Sequence, residues 1–168
     1  KEVPLPTYLK MIEYKTAVLL AASLQIGGIT ANASKDEQNH LYQFGINMGI
    51  AFQLKDDLLD AFGNEANFGK KIGGDIRANK KTFLFLKALQ LANNQQKQDL
   101  VSYYADEDQS EQKVMSVKNI FTDLAIQQHT IQMMKAYYTI AMKHLDAIDS
   151  NKKQPLLDFS KKLMARIS

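Results

Sequence analysis

The sequence predicts an all-α fold, and three observations support this prediction. Apolar residues recur at helical spacing along most of the chain, and no stretch alternates with the period of a β-strand. The three prolines (Pro4, Pro6 and Pro155) all lie at the start of the chain or near the start of a predicted helix. The 168 residues are enough for one domain with its own core, so we expect residues 1–168 to form a single all-α region.

The first predicted helix runs from a Thr7 cap to Ile26 and ends at Gly27-Gly28, since glycine commonly follows the last helical residue. Its apolar residues predict which face is buried. This face comprises Met11, Val18, Leu19, Ala22 and Ile26.

The second predicted helix begins at the capping box Ser34-Lys35-Asp36-Glu37 and runs to about Phe62. Two glycines inside it, Gly45 and Gly49, permit close helix packing or leave room for a ligand. The predicted buried face comprises Leu41, Phe44, Met48, Ala51 and Phe52.

After a predicted loop from Gly63 to Asn79, the rest of the chain is also predicted to be helical. One long helix is expected to follow the cap at Asp108-Gln109-Ser110-Glu111, with an apolar track that includes Met115 and Leu145. The predicted ranges are 80–92, 95–104, 111–148 and 155–167.

Composition excludes several classes of function. A net charge of +3 with mixed signs is too small to indicate nucleic-acid or anionic-membrane binding, and no apolar run is long enough for a transmembrane segment. The chain has no cysteine, so it has no disulfide or thiolate site, which fits a cytoplasmic protein. The histidines (His40, His129 and His144) lie on different predicted helices, and we expect them to be structural or exposed.

The sequence Asp56-Asp57-Leu58-Leu59-Asp60 places three carboxylates on one helix. Asp56 and Asp60 lie one turn apart, with Asp57 about 100° around the axis. Like charges at this spacing oppose helix formation, so the cluster predicts a counter-charge, for which Mg²⁺ with its preference for oxygen ligands is suited. A solvated acidic face is the alternative.

A glycine-rich basic segment, from Gly69 to Thr82, follows the acidic helix. Glycines let a backbone approach a ligand closely, and lysines bind phosphate oxygens. An ordinary solvated turn is the alternative for this segment alone. Together with the acidic helix, it predicts a site that holds a diphosphate through Mg²⁺ and lysines.

These residues resemble a known family. FQxxDDxxD followed by GKxxGxDxxxxKxT, with Tyr14-Lys15-Thr16-Ala17 upstream, resembles the second aspartate-rich region and the KTA helix of the trans-isoprenyl diphosphate synthases. The resemblance extends from about Tyr8 to Thr82. It implies an isoprenoid-synthase-type helical bundle, a homodimer, and a prenyltransferase that condenses isopentenyl diphosphate with an allylic diphosphate.

The resemblance also implies roles for individual residues. The Mg²⁺ ligands would be Asp56, Asp57 and Asp60. The residues that contact the allylic diphosphate would be Lys15, Lys70 and Lys80. The residues that place oxygen dipoles near the allylic cation would be Thr16 and Gln53.

Several of these residues have a structural alternative. Lys15 is otherwise a surface lysine, Thr16 a hydroxyl bonded to its own helix, and Gln53 a helix-surface amide. Asp75 either ties the basic segment together or caps the next helix.

The chain departs from the family in one respect. Family members carry a first DDxxD upstream of the KTA helix, whereas here the chain opens at Lys1 with no such motif. We therefore expect the C-terminal half of a synthase. The alternatives are a non-catalytic half or regulatory subunit that binds diphosphate or a partner, and a terpene cyclase, which the GKxxGxD and KTA motifs disfavour.

Overall fold

A computed structural model describes residues 3–63 and 72–165, and every regular element in these ranges is helical. The helices are α1 (Leu5–Ile12), α2 (Val18–Thr30), α3 (Lys35–Phe62), α4 (Gly74–Arg77), α5 (Phe83–Leu91), α6 (Asn94–Ala105), α7 (Glu111–Asp123), α8 (Ile126–Asp146) and α9 (Gln154–Ala165). A π-helical turn (Glu13–Ala17) joins α1 to α2, and a 3-10 turn (Asn151–Lys153) precedes α9. The predicted all-α fold is confirmed. In the ranges described, no helix is both long and apolar enough to cross a membrane.

The chain divides into two compact units. The first unit comprises Lys1–Tyr8 and Leu54–Gln132, and the second comprises Leu9–Gln53 and Met133–Ser168. The single all-α region expected for residues 1–168 stays a prediction.

The beginning of α3, in the second unit, is set by the predicted capping box. The backbone N–H of Ser34 donates to Glu37 Oε2 (2.9 Å), and the N–H of Glu37 donates to Ser34 Oγ (3.3 Å). Helix α3 then buries Phe44 and Met48 in the core of this unit, where they form one cluster with Ala141, Leu145 and Ile148.

Close backbone contact joins α3 to the π turn and to α2. A Cβ atom added at Gly49 would lie 2.5 Å from Ala17 Cα, and one added at Gly45 would lie 2.5 Å from Ala21 Cα. Of the two roles predicted for these glycines, the structure therefore supports close helix packing.

The predicted buried face of the first helical segment is wrong. Leu19 is 74% exposed and Ile26 is 58% exposed, whereas Ala17 and Ala21 are fully buried. Only small side chains fit where α3 approaches at backbone contact. Leu20 and Leu24 pack against the core cluster beside this contact, and Leu19 and Ile26 lie on the exposed side of α2.

The predicted end of that helix at Gly27-Gly28 is also wrong. Helix α2 continues through both glycines to Thr30, and the chain turns at Asn32, whose φ is 55°. Asparagine tolerates this left-handed conformation better than most residues, which explains how the helix ends without glycine.

The long helix predicted over residues 111–148 is two helices, α7 and α8, because Ala125 adopts a φ of 51° between them. In the first unit, α7 buries Val114, Val117 and Phe121. Met115, which was predicted to lie on the apolar track, is 58% exposed.

A histidine pair lies in the second unit. His40 Nδ1 and His144 Nδ1 are 3.0 Å apart, so one ring donates its proton to the other, and Asp36 Oδ2 lies 3.7 Å from His40 Nε2. Burial, with a smaller effect from His40, lowers the pKa of His144 below its ordinary value of 6.5. These two histidines are structural, as expected.

We predict that Gly49→Ala destabilises the protein by about 2 kcal/mol, because the new methyl group meets the Ala17 backbone and forces the helices apart. The matched control is Gly27→Ala, since a Cβ atom there meets nothing within 4 Å. The control should stabilise the protein by about 0.5–1 kcal/mol through helix propensity. Urea unfolding followed by circular dichroism measures both, and equal effects would contradict the packing role.

We predict that the free energy of unfolding decreases as the pH falls below about 6.5. The folded protein holds His144 neutral at pH values where the unfolded chain binds a proton, so acid favours unfolding until the lower folded pKa is reached. Urea titrations at several pH values measure this slope. His144→Gln should make the free energy of unfolding less dependent on pH, and the control His129→Gln should leave the dependence unchanged. An unchanged dependence in His144→Gln would show that His144 is not its source.

Candidate functional site

The carboxylate of Asp57 is buried and satisfied by the fold of the first unit. Asp57 is 4% exposed, and its Oδ2 accepts hydrogen bonds from the Tyr8 hydroxyl and from the backbone N–H of Phe83 (3.4 Å). Phe83 is the first residue of α5, so the carboxylate lies at the positive end of that helix. Burial, followed by the Asp57 charge, raises the pKa of Tyr8, and the hydroxyl therefore remains a proton donor.

Asp56 and Asp60 lie differently. Asp56 is exposed, whereas Asp60 is partly buried, and its Oδ2 accepts from the backbone N–H of Asp75 (2.8 Å). The carbonyl of Asp60 accepts from the N–H of Gly73 (2.6 Å), which turns the chain with a φ of 81°. Burial raises the pKa of Asp60, against the opposing effect of the Asp75 N–H.

Lys80 is held by Asp75 from two sides. Lys80 Nζ donates to Asp75 Oδ1 (2.6 Å), and the N–H of Lys80 donates to the carbonyl of Asp75 (2.9 Å). The hydrogen bond to the Asp75 carboxylate, followed by the charge of that carboxylate, raises the pKa of Lys80. The Lys80 side chain is therefore charged, and it is 63% exposed. Of the two roles predicted for Asp75, the structure shows the tie within the segment, because Thr82 occupies the N-cap of α5.

In the second unit, Thr16 and Gln53 meet. Thr16 Oγ1 donates to Gln53 Oε1 (3.3 Å), so the structure favours this pairing over a bond from Thr16 to its own helix. Lys15 is exposed on the π turn, a type of helix irregularity that is frequent at functional sites. Lys70 lies outside the described residues.

Two features near the site were missed in the sequence, the hydrogen bond between Tyr8 and Asp57 and the burial of Lys113. Tyr8 and Asp57 are 49 residues apart, and no local pattern links them. Lys113 is 2% exposed in the structure. Its position next to the buried face of α7 is the only indication of this burial that the sequence gives. Among the described residues, no three His, Cys, Asp or Glu side chains are close enough to hold a metal ion together.

Comparison with known proteins gives a consistent result. Residues 1–124 match the polyprenyl synthetase family. The chain is 34% identical over 146 residues to a geranylgeranyl diphosphate synthase of Saccharolobus solfataricus, which covers 87% of this chain and 44% of that protein. The chain therefore spans about half the length of the curated relatives it matches.

Solved structures agree. A crystal structure of a geranylgeranyl pyrophosphate synthase matches with a TM-score of 0.89 and 40% identity, covering 100% of this chain and 53% of the other. The enzyme of that name from Corynebacterium glutamicum, complexed with isoprenyl diphosphate and magnesium, matches with a TM-score of 0.89 and 26% identity, covering 98% of this chain and 48% of the other.

We predict that Asp57→Ala destabilises the protein by about 3 kcal/mol, because it leaves the buried Tyr8 hydroxyl and Phe83 N–H without their acceptor. Tyr8→Phe removes one of these bonds and should cost about 1–1.5 kcal/mol. Asp56→Ala is the matched control, and its exposed position predicts a change within about 0.5 kcal/mol. Urea unfolding measures all three, and equal losses at Asp56 and Asp57 would show that the two carboxylates are not distinguished by the fold.

Proposed function

The chain belongs to the polyprenyl synthetase family, and from that membership we propose that it is the diphosphate-binding part of a prenyltransferase. The reaction is the condensation of isopentenyl diphosphate with an allylic diphosphate, a step of isoprenoid biosynthesis. The observation that supports this most is the hydrogen-bonded path from Asp60 through Asp75 to Lys80, which joins the aspartate-rich helix to the basic segment.

The donor set fits Mg²⁺. Asp56 is exposed and Asp60 lies one turn further along α3, so the helix offers two hard oxygen donors. Mg²⁺ is usually held by one or two carboxylates and completes its shell with water and substrate phosphates, so a site of fewer than three protein ligands is no obstacle. When bound, the ion neutralises negative charge on the departing diphosphate.

We assign direct metal contact to Asp56 and Asp60. Asp57, the third carboxylate predicted from the sequence, is 4% exposed, and its Oδ2 accepts from both Tyr8 and Phe83. Asp60 is only partly buried, and its Oδ2 accepts from the Asp75 N–H. The proposed role of Asp57 is to fix the helix that carries the other two carboxylates. The proposed Mg²⁺ ligands are therefore two of the three carboxylates that the sequence predicted.

The cationic residues bind the substrate in this proposal. Lys80 and Lys70 belong to the basic segment, and Lys80 keeps its charge next to Asp75 while its side chain remains exposed. Both contact oxygens of the allylic diphosphate, and the family resemblance implies the same role for Lys15.

Thr16 and Gln53 act on the hydrocarbon side of the substrate. Their hydrogen bond fixes the orientation of both side chains, so their oxygen dipoles are available to stabilise the allylic cation as the diphosphate leaves. The homodimer and the cytoplasmic location stay predictions from the sequence, and light scattering of the purified protein tests the first.

The test is Mg²⁺-dependent condensation of isopentenyl diphosphate with geranyl or farnesyl diphosphate by the complete, purified protein. We predict that Asp56→Ala lowers turnover by about three orders of magnitude or more, because metal-borne charge stabilisation contributes several kcal/mol. Asp123→Ala, an exposed carboxylate at the end of α7, is the matched control and should leave turnover unchanged.

The outcomes separate the alternatives. Wild-type turnover in Asp56→Ala would contradict the metal assignment. Mg²⁺-dependent pyrophosphate binding by a wild-type protein that does not condense the substrates would favour the non-catalytic subunit.

A further inference from the structure

Lys113 is a buried cation whose three N–H groups are all used. Lys113 is 2% exposed, and its Nζ donates to Asn79 Oδ1 (2.8 Å), to the carbonyl of Asp106 (2.9 Å) and to the carbonyl of Asp108 (2.8 Å). These are the three donors that an ammonium group has. A buried charge is costly unless it is fully hydrogen-bonded, and this one is bonded by three uncharged oxygens.

The Asn79 side chain is held from both ends. Its Oδ1 accepts from Lys113, and its Nδ2 donates to the carbonyl of Asp106 (2.8 Å). The backbone of Asn79 adopts a φ of 53°, which asparagine tolerates. Lys113 and the Asp106 carbonyl therefore fix the residue that immediately precedes Lys80.

Arg77 makes a second connection between the same two segments. Arg77 Nη2 donates to Glu111 Oε1 (2.8 Å), Nε donates to the carbonyl of Gln109 (3.2 Å), and Nη1 donates to the carbonyl of Ile72 (2.6 Å). Residues 72–80 are thus tied to residues 106–113 by one guanidinium and one ammonium group. The same residues 72–80 carry the Asp75 contacts with Lys80 and Asp60.

We propose that Lys113 is a positioning residue for diphosphate binding, which it supports by fixing Asn79 and thereby the turn that presents Lys80. This inference rests on the proposed function of Lys80. Lysine suits the role because a compact ammonium group gathers three converging oxygens, whereas a planar guanidinium or a thioether does not.

Two variants break this arrangement in different ways. Lys113→Met keeps much of the side-chain volume and removes all three donors. Asn79→Gly removes only the amide, and glycine accepts the positive φ without strain. The matched control is Lys135→Met, which removes an exposed lysine from α8.

The first readout is amide hydrogen exchange of peptides that cover residues 72–82. The N–H groups of Gly73, Asp75 and Lys80 are hydrogen-bonded in this turn, so Lys113→Met and Asn79→Gly should both raise their exchange rates. Circular dichroism at the same temperature checks that each variant is folded, and Asn79→Gly carries the test if Lys113→Met does not fold.

The second readout is the affinity for inorganic pyrophosphate in the presence of Mg²⁺, measured by calorimetry. We expect both variants to bind about tenfold more weakly than the wild type, the loss that follows when about one charged hydrogen bond is misplaced. The double variant should bind little more weakly than either single variant, since both break the same path. Lys135→Met should bind like the wild type.

The outcomes distinguish this inference from the proposed function. Faster exchange with unchanged pyrophosphate affinity, or no change in either readout, would overturn the positioning role and leave the proposed function intact. A wild-type protein that binds no pyrophosphate with Mg²⁺ would overturn the proposed function, and this inference with it.

Discussion

The candidate site depends on the buried carboxylate of Asp57. A carboxylate with 4% exposure requires hydrogen-bond partners, and it obtains them from the Tyr8 hydroxyl and the Phe83 N–H. Tyr8, Asp57 and Phe83 all lie in the first unit, and their contacts fix the part of α3 that carries the aspartates within that unit. Of the other two carboxylates of the motif, Asp56 is exposed and Asp60 is partly buried.

The five-residue motif therefore has two roles, a structural one in the buried core and a proposed one in binding. Asp57 is part of the core and Asp56 lies at the surface, while Asp60 links to the basic segment through the Asp75 N–H. Lys80 is hydrogen-bonded to Asp75 at the other end of that link. Lys113 and Arg77 connect residues 72–80, which carry both contacts, to residues 106–113. In the proposed diphosphate site, Asp60 and Lys80 are held by hydrogen bonds before a ligand arrives, and such preorganisation lowers the cost of binding.

The sequence predicted those features that depend on nearby residues. The Ser34–Glu37 capping box and the beginning of α3 are encoded within four residues, and the all-α fold follows from helical periodicity along the chain. Features that depend on distant residues were missed. Tyr8 reaches Asp57 across 49 positions, and the break at Ala125 places a residue other than glycine in a left-handed conformation without a local signal. The buried face of α2 was misjudged because α3 approaches it through glycines, and this favours alanine over the larger apolar residues on which the prediction relied.

The most direct test of the division between Asp57 and its neighbours is a crystal structure of the protein with Mg²⁺ and inorganic pyrophosphate. We predict metal-bound oxygens of Asp56 and Asp60 at about 2.0–2.1 Å, the distance typical of Mg²⁺, with the hydrogen bonds of Tyr8 and Phe83 to Asp57 retained. A metal ion bound to the Asp57 oxygen that accepts from Tyr8, with the Tyr8 hydroxyl displaced, would contradict the account.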